Sequence, residues 1–113
     1  MQIRPATAVD IRTLHDGALP ATARAVAVEC CGEVLGVGGV YYANGAVYAF
    51  TAADERLPRR ARVLAGRAVF AIIRSVAAPV WAIQGEFDTA PTVLAHYGFM
   101  PVSDGYWIRW PNG

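Results

Sequence analysis

Arg56, Arg59 and Arg60 lead the five arginines of the stretch "TAADERLPRRARVLAGRA", residues 51–68, where an apolar run gives way to a long helical pattern. Guanidinium grips phosphate or carboxylate through two parallel hydrogen bonds, so their chemistry is that of an anion site. A strand–loop–helix junction suits that use, because the first N–H groups of a helix and its positive dipole end face an incoming anion. No glycine precedes Gly66 here, so charge stands where a bare backbone cradle would otherwise be. Pro58 takes away one N–H donor that such a cradle uses. Other chemistry-bearing residues read more plainly. Gly36, Gly38 and Gly39 are not a dinucleotide fingerprint, because no helix follows them; they read as strand glycines that bend a sheet or admit a neighbour. Cys30 and Cys31 are adjacent, so in a strand they point to opposite faces, and they lack companion ligands at any metal-binding spacing. His15 and His96 read as ordinary polar positions. Arg60, Arg67 and Arg74 recur every seven residues as the solvated side of a helix, without the interleaved aromatics of a nucleic-acid surface.

The elements that must position these residues follow from periodicity. "MQIRPATAVDIRTLHDGALP" reads as a strand and then a helix, capped by Thr7 with Asp10 three residues on, carrying Ile11 and Leu14 inward and ending by Gly17 and Pro20. Val26, Val28 and Cys30 alternate with Ala25, Ala27 and Glu29 as a strand. "CGE" turns into the strand "VLGVGGVYY", and Asn44-Gly45 turns again into "AVYAFTA". Leu57, Ala61, Leu64, Ala65, Ala68, Val69, Ile72, Ile73 and Val76 then form the wide apolar stripe of the longest helix. Asp54 or Glu55 lies near its start, Pro58 suits its first turn and Pro79 forbids its continuation. "PVWAIQG" is a short apolar strand of the kind buried inside a sheet. "TAPTVLAHYGF" is a second helix, with Thr89 as cap and Gly98 as stop, and "GYWIRW" closes the chain after a brief strand around Met100–Val102.

Bulk properties limit the function classes. With 113 residues the chain reads as one domain, 1–113, with a core that needs neither disulfide nor metal. A net charge of +1 offers no global field for nucleic acid or membrane. No apolar run reaches membrane-spanning length, since Arg67 and Arg74 interrupt the best one. Two cysteines and no signal peptide point to a reduced, cytoplasmic setting. Hydrophobic residues make up 55% and charged residues only 17%, which implies an apolar surface used by a partner or a second copy. The link from "AVYAFTA" through the long helix to "VWAIQG" should join parallel strands, the rest being antiparallel. The expected fold is therefore α/β, of the mixed α+β kind: a mostly antiparallel sheet with helices on both faces.

This order resembles the GNAT superfamily of N-acetyltransferases across essentially the whole chain. The residues that carry the likeness are the opening "IRPATAVDI", the glycine-rich "VLGVGGVYY" and "HYGF" before the last hairpin, where Gly98-Phe99 matches the family's Gly-Phe. The missing second helix and compact length look like the short variants encoded in bacteriophage genomes. The resemblance implies that "AVYAFTA" and "VWAIQG" splay apart at their C-terminal ends and that acetyl-CoA, the acetyl donor for an amine acceptor, lies between them. Phe50, Thr51 and Ala52 would pair with its pantetheine arm, and Leu57 to Ala61, with Arg59, Arg60 and Ala61 foremost, would take its phosphates. With Arg56 at the start of the family's Arg/Gln-x-x-Gly-x-Gly/Ala loop, Arg59 occupies the first glycine position and Ala61 the second small one.

Other implied residues depart from the family. Leu94 falls where the family often has the tyrosine acid, leaving Tyr97 and His96 as neighbours on the helix, with Tyr97 the candidate acid. The family's helix-start asparagine falls near Phe87. No carboxylate lies in "AVYAF", so Glu86 is the candidate base, with Glu29 the other possibility. Two functions stay open: acetyl-CoA-dependent N-acetyl transfer, or a GNAT-fold structural or protein-interaction module without catalysis. A homo-oligomer is expected in both, with contacts near Tyr106 to Trp110; membrane and nucleic-acid partners are not.

Overall fold

The computed structural model describes residues 1–14, 22–83 and 91–111. Its elements run β1 (Gln2–Pro5), α1 (Ala8–Leu14), β2 (Ala23–Cys30), β3 (Glu33–Ala43), β4 (Ala46–Ala53), α2 (Arg59–Ser75), β5 (Val80–Ile83), α3 (Pro91–His96), β6 (Met100–Ser103) and β7 (Tyr106–Arg109). The seven strands form one sheet in the order β1-β2-β3-β4-β5-β7-β6. Every neighbouring pair is antiparallel except β4 and β5. The mixed fold expected from the sequence is the one observed.

Local chemistry explains the joints. The three hairpins turn on Cys31-Gly32, Asn44-Gly45 and Asp104-Gly105, each pair with both φ angles positive. Such turns carry the twist that joins antiparallel strands, and glycine takes the second position at little steric cost. Thr7 and Asp10 make a reciprocal capping box at α1: the Thr7 N–H donates to Asp10 Oδ2 at 2.8 Å and the Asp10 N–H to Thr7 Oγ1 at 3.3 Å. At the end of α3 the Phe99 N–H reaches back to the Leu94 carbonyl at 3.0 Å, with Gly98 in the left-handed region. Thr89, Gly17 and Pro20, expected to cap or end helices, lie outside the described residues.

The sheet is covered on both faces. On one, Ile11 of α1 packs with Ala27, Val37, Tyr41 and Phe50. On the other, Val69 and Ile73 of α2 and Leu94 of α3 close over Val40, Val47, Ala49, Val80, Ala82 and Trp107. Within the helical stripe, Leu57, Ala61, Val69, Ile73 and Val76 are buried, whereas Leu64 is exposed on the outer side of α2.

Two features of α2 bear on the site. Gly38 permits its close approach, since a Cβ there would stand 2.7 Å from Val69 Cγ2. Pro58 is the N-cap, with extended backbone, so it precedes the helix and is not in its first turn. No acidic residue lies in that first turn either, Asp54 and Glu55 belonging to the loop before it. No helix among the described residues is long and apolar enough to cross a membrane.

Among the described residues, Val47, Tyr48 and Ala49 of β4 pair with Val80, Trp81 and Ala82 of β5. Beyond that point β4 stays paired with β3 as far as Ala53, while Ile83 pairs with Tyr106 on the far side of β5.

Candidate functional site

The loop between β4 and α2 is shaped by its own charges. Arg56 donates to Asp54 Oδ1 at 3.0 Å and to Glu33 Oε1 at 2.7 Å. Those hydrogen bonds hold the Arg56 pKa above its ordinary value and the Asp54 carboxyl below its own. Arg62 turns back to the same loop, its Nε donating to the Leu57 carbonyl at 3.1 Å and its NH2 to that of Asp54 at 3.3 Å. Arg56 and Arg62 therefore brace the loop. Arg59, Arg60 and Arg67 enter no ion pair among the described residues.

Most donors at the helix start survive Pro58. The first helical bond runs from the Arg62 N–H to the Pro58 carbonyl at 3.0 Å. The N–H groups of Arg59, Arg60 and Ala61 precede it, and no side chain caps the helix. As the N-cap, Pro58 removes one of the four free donors of the helix start, as expected from the sequence, and leaves those of Arg59, Arg60 and Ala61.

A cavity of about 520 Å³ lies between this junction, the sheet and α3. Thr51, Ala52 and Ala53 of β4, Arg59, Gly66 and Phe70 of α2, and Val93, His96 and Tyr97 beside α3 all line it. Its size is that of a small-ligand site and its walls are mostly apolar with a few convergent polar groups. Of the residues expected at a cofactor site, Thr51, Ala52 and Arg59 meet here. Phe50 does not: its ring is fully buried against Tyr41 beneath α1, on the opposite face. The period of two along a strand turns the side chains of Phe50 and Ala52 to the α1 face and that of Thr51 to the other, which was readable in advance. Arg60 opens onto a shallow groove outside α2 with Arg59, Val63, Leu64 and Arg67. Ala61 is packed with Val28, Leu35 and Leu57 in the core.

Among the described residues, Tyr97 is the candidate catalytic residue that lines the cavity. Its ring stacks on Phe70 with centroids 4.6 Å apart and planes 18° from parallel. Its hydroxyl approaches α2 at Gly66, where an added Cβ would stand 3.1 Å away. Leu94, at the family's tyrosine position, is fully buried. His96, which the sequence marks only as polar, also borders the cavity. Phe70 and Gly66 were missed in the sequence because an aromatic beside an apolar stripe and a glycine in a helix carry no mark of what lies opposite.

The carboxylates lie elsewhere. Glu29 sits 3.4 Å from Arg4, which also grips Asp10 at 2.7 Å. Arg4 and Asp10 lie on the α1 side, since Arg4 pairs with Ala27 in register. The Arg4 hydrogen bonds, helped by Thr7, pull the nearly buried Asp10 carboxyl down to about 2 although burial opposes them. Glu29 belongs to that cluster and does not line the cavity. Glu86 and Phe87 lie outside the described residues, as does His15. Cys30 and Cys31 are free thiols, Cys31 standing in the turn and not the strand, and no group of potential metal ligands forms among the described residues. Comparison with known proteins finds no matching family model, no matching curated protein and no matching solved structure.

Proposed function

We propose that this chain is a GNAT-like protein that binds acetyl-CoA in the cavity beside α2 and transfers acetyl to an amine. One observation carries the reading: the C-terminal end of β4, the uncapped first turn of α2 and Tyr97 all border one cavity. The residues present suit the ligand. The free N–H groups of Arg59, Arg60 and Ala61 match a pyrophosphate at a helix start. Arg59 and Arg60, neither held in an ion pair among the described residues, add guanidinium donors. The apolar walls accept the pantetheine arm. Acetyl-CoA would supply a thioester whose C–S bond breaks as the amine forms its C–N bond. Tyr97 holds a proton for the departing sulfur and regains one from water, while the proton shed by the amine passes to water.

Calorimetry with acetyl-CoA tests this. Charge-assisted hydrogen bonds contribute about 1.5–3 kcal/mol each, so Arg59→Ala with Arg60→Ala should weaken binding at least roughly tenfold. Affinity should also fall with added salt. Unchanged tight binding in the double variant would assign the phosphates to the helix terminus alone, and no wild-type binding at millimolar ligand would end the reading.

A second reading, a non-catalytic interaction module that self-associates, is favoured by a different observation. Met100, Val102, Tyr106 and Trp110 of the last hairpin are 52, 53, 42 and 50% exposed. Sedimentation that finds a monomer at high micromolar concentration would remove it.

A further inference from the structure

The last strand sends one charged side chain beneath α3. Arg109 of β7 stands opposite Val80 of β5, which places it on the α2–α3 face. Its Nε donates to the Tyr97 carbonyl at 3.2 Å, and its guanidinium lies 5.5 Å from the centre of the Phe70 ring. Tyr97 stacks on that same ring. Gly98, in the left-handed region, lies against the arginine, a Cβ there standing at ordinary contact distance, 3.5 Å, from Arg109 Nε. One residue thus holds both the backbone from which Tyr97 projects and the aromatic plane against which it rests.

We propose that Arg109 is a positioning residue that fixes the Tyr97 phenol at the cavity wall beside Gly66. The need for it follows from the local structure. Tyr97 lies just past the end of α3, a helix of only six residues, so its own element constrains it weakly. A ring in such a place keeps one orientation only when its backbone and its stacking partner are both held. Arg109 does both from a strand inside the sheet, flanked by β5. Arg74 supplies a contrast: it also lies over Phe70, at 5.8 Å, yet no hydrogen bond joins it to Tyr97. The functional half of the proposal, that the fixed hydroxyl meets a thioester ligand, rests on the acetyl-CoA reading; the positional half does not.

NMR of the full chain with ring-labelled tyrosine tests both halves, with coenzyme A as the probe. In the wild type, Phe70 should displace the Tyr97 ring resonances upfield, and coenzyme A should move them again. Arg109→Ala should abolish the upfield displacement and weaken coenzyme A about three- to tenfold, the worth of one hydrogen bond. Arg74→Ala should leave both unchanged, and Arg109→Lys, which keeps a charge and a donor, should restore part of each. If Arg109→Ala does not fold, Arg109→Met against Arg109→Lys poses the same question with stems of similar length. An unmoved Tyr97 resonance in Arg109→Ala or Arg109→Met overturns the proposal. Loss of the displacement in those variants, with a wild-type ring indifferent to coenzyme A, would uphold the positioning and reject the acetyl-CoA reading.

Discussion

Gly66→Ala sets stability against ligand binding in a single substitution. Gly66 is in the interior of α2 and half-buried, and a glycine there destabilises the helix by about 1 kcal/mol relative to alanine. The added Cβ meets one neighbour, the Tyr97 hydroxyl at 3.1 Å. That is a few tenths of an ångström inside ordinary contact, and the atom is the far tip of a ring that can tilt on Phe70. The strain should therefore take back less than half of the helical gain, leaving about 0.5–1 kcal/mol of net stabilisation. For a domain of this size that is about 2–4 °C in Tm, readable by calorimetry. The same methyl occupies the wall where Tyr97 is presented, so the further rise in Tm produced by coenzyme A should shrink. In a Tyr97→Phe background the hydroxyl is gone, and Gly66→Ala should yield the full 1 kcal/mol or so. A fall in Tm would show that the Tyr97 ring cannot yield. Equal effects in the two backgrounds would show that the contact does not govern this position.

Asp10 should confer acid sensitivity. Its folded pKa is depressed to about 2, so its contribution is fully present above the ordinary carboxylate range near 3.8 and disappears as pH falls toward 2. The difference amounts to about 2 kcal/mol, and Asp10→Asn should flatten the denaturation profile across that window; a profile identical to wild type would refute it. Gly38→Ala should destabilise by about 1–3 kcal/mol, because Val69 is stiff in a helix and cannot swing away. Val69→Ala should then cost less in the Gly38→Ala background than alone, and additive urea midpoints would show that the two positions do not touch.

How much was legible depended on the range of the interaction. The parallel pair could be read because a strand, a long amphipathic helix and an apolar strand in succession admit few arrangements. The Asn44-Gly45 turn and the Thr7–Asp10 cap were readable for the same reason, each lying within a few residues. At the site, Thr51, Ala52 and Arg59 follow from position along the β4–α2 junction. What escaped was long-range pairing. Arg56 appears as available for phosphate until Glu33, 23 residues earlier, is found to hold it. Arg109 looks like an ordinary strand charge until the fold lays it against Phe70 and Tyr97. Pro58 stands one residue before the first turn in which the sequence placed it, which is the usual uncertainty of helix boundaries, and in either place it costs one donor.

The two outermost strands give the sheet its final property. β1 closes on Pro5, and β6 carries Pro101 with a break in register between Pro101 and Ser103. A proline offers no N–H to an incoming strand, and a bulge twists the rim away from one. In a chain whose residues are 55% hydrophobic, an open flat rim would invite edge-to-edge polymerisation. The rims discourage that growth, so any association of copies is directed to side-chain surfaces such as the last hairpin. Contacts of that kind can close on themselves and stop, where a growing sheet would not.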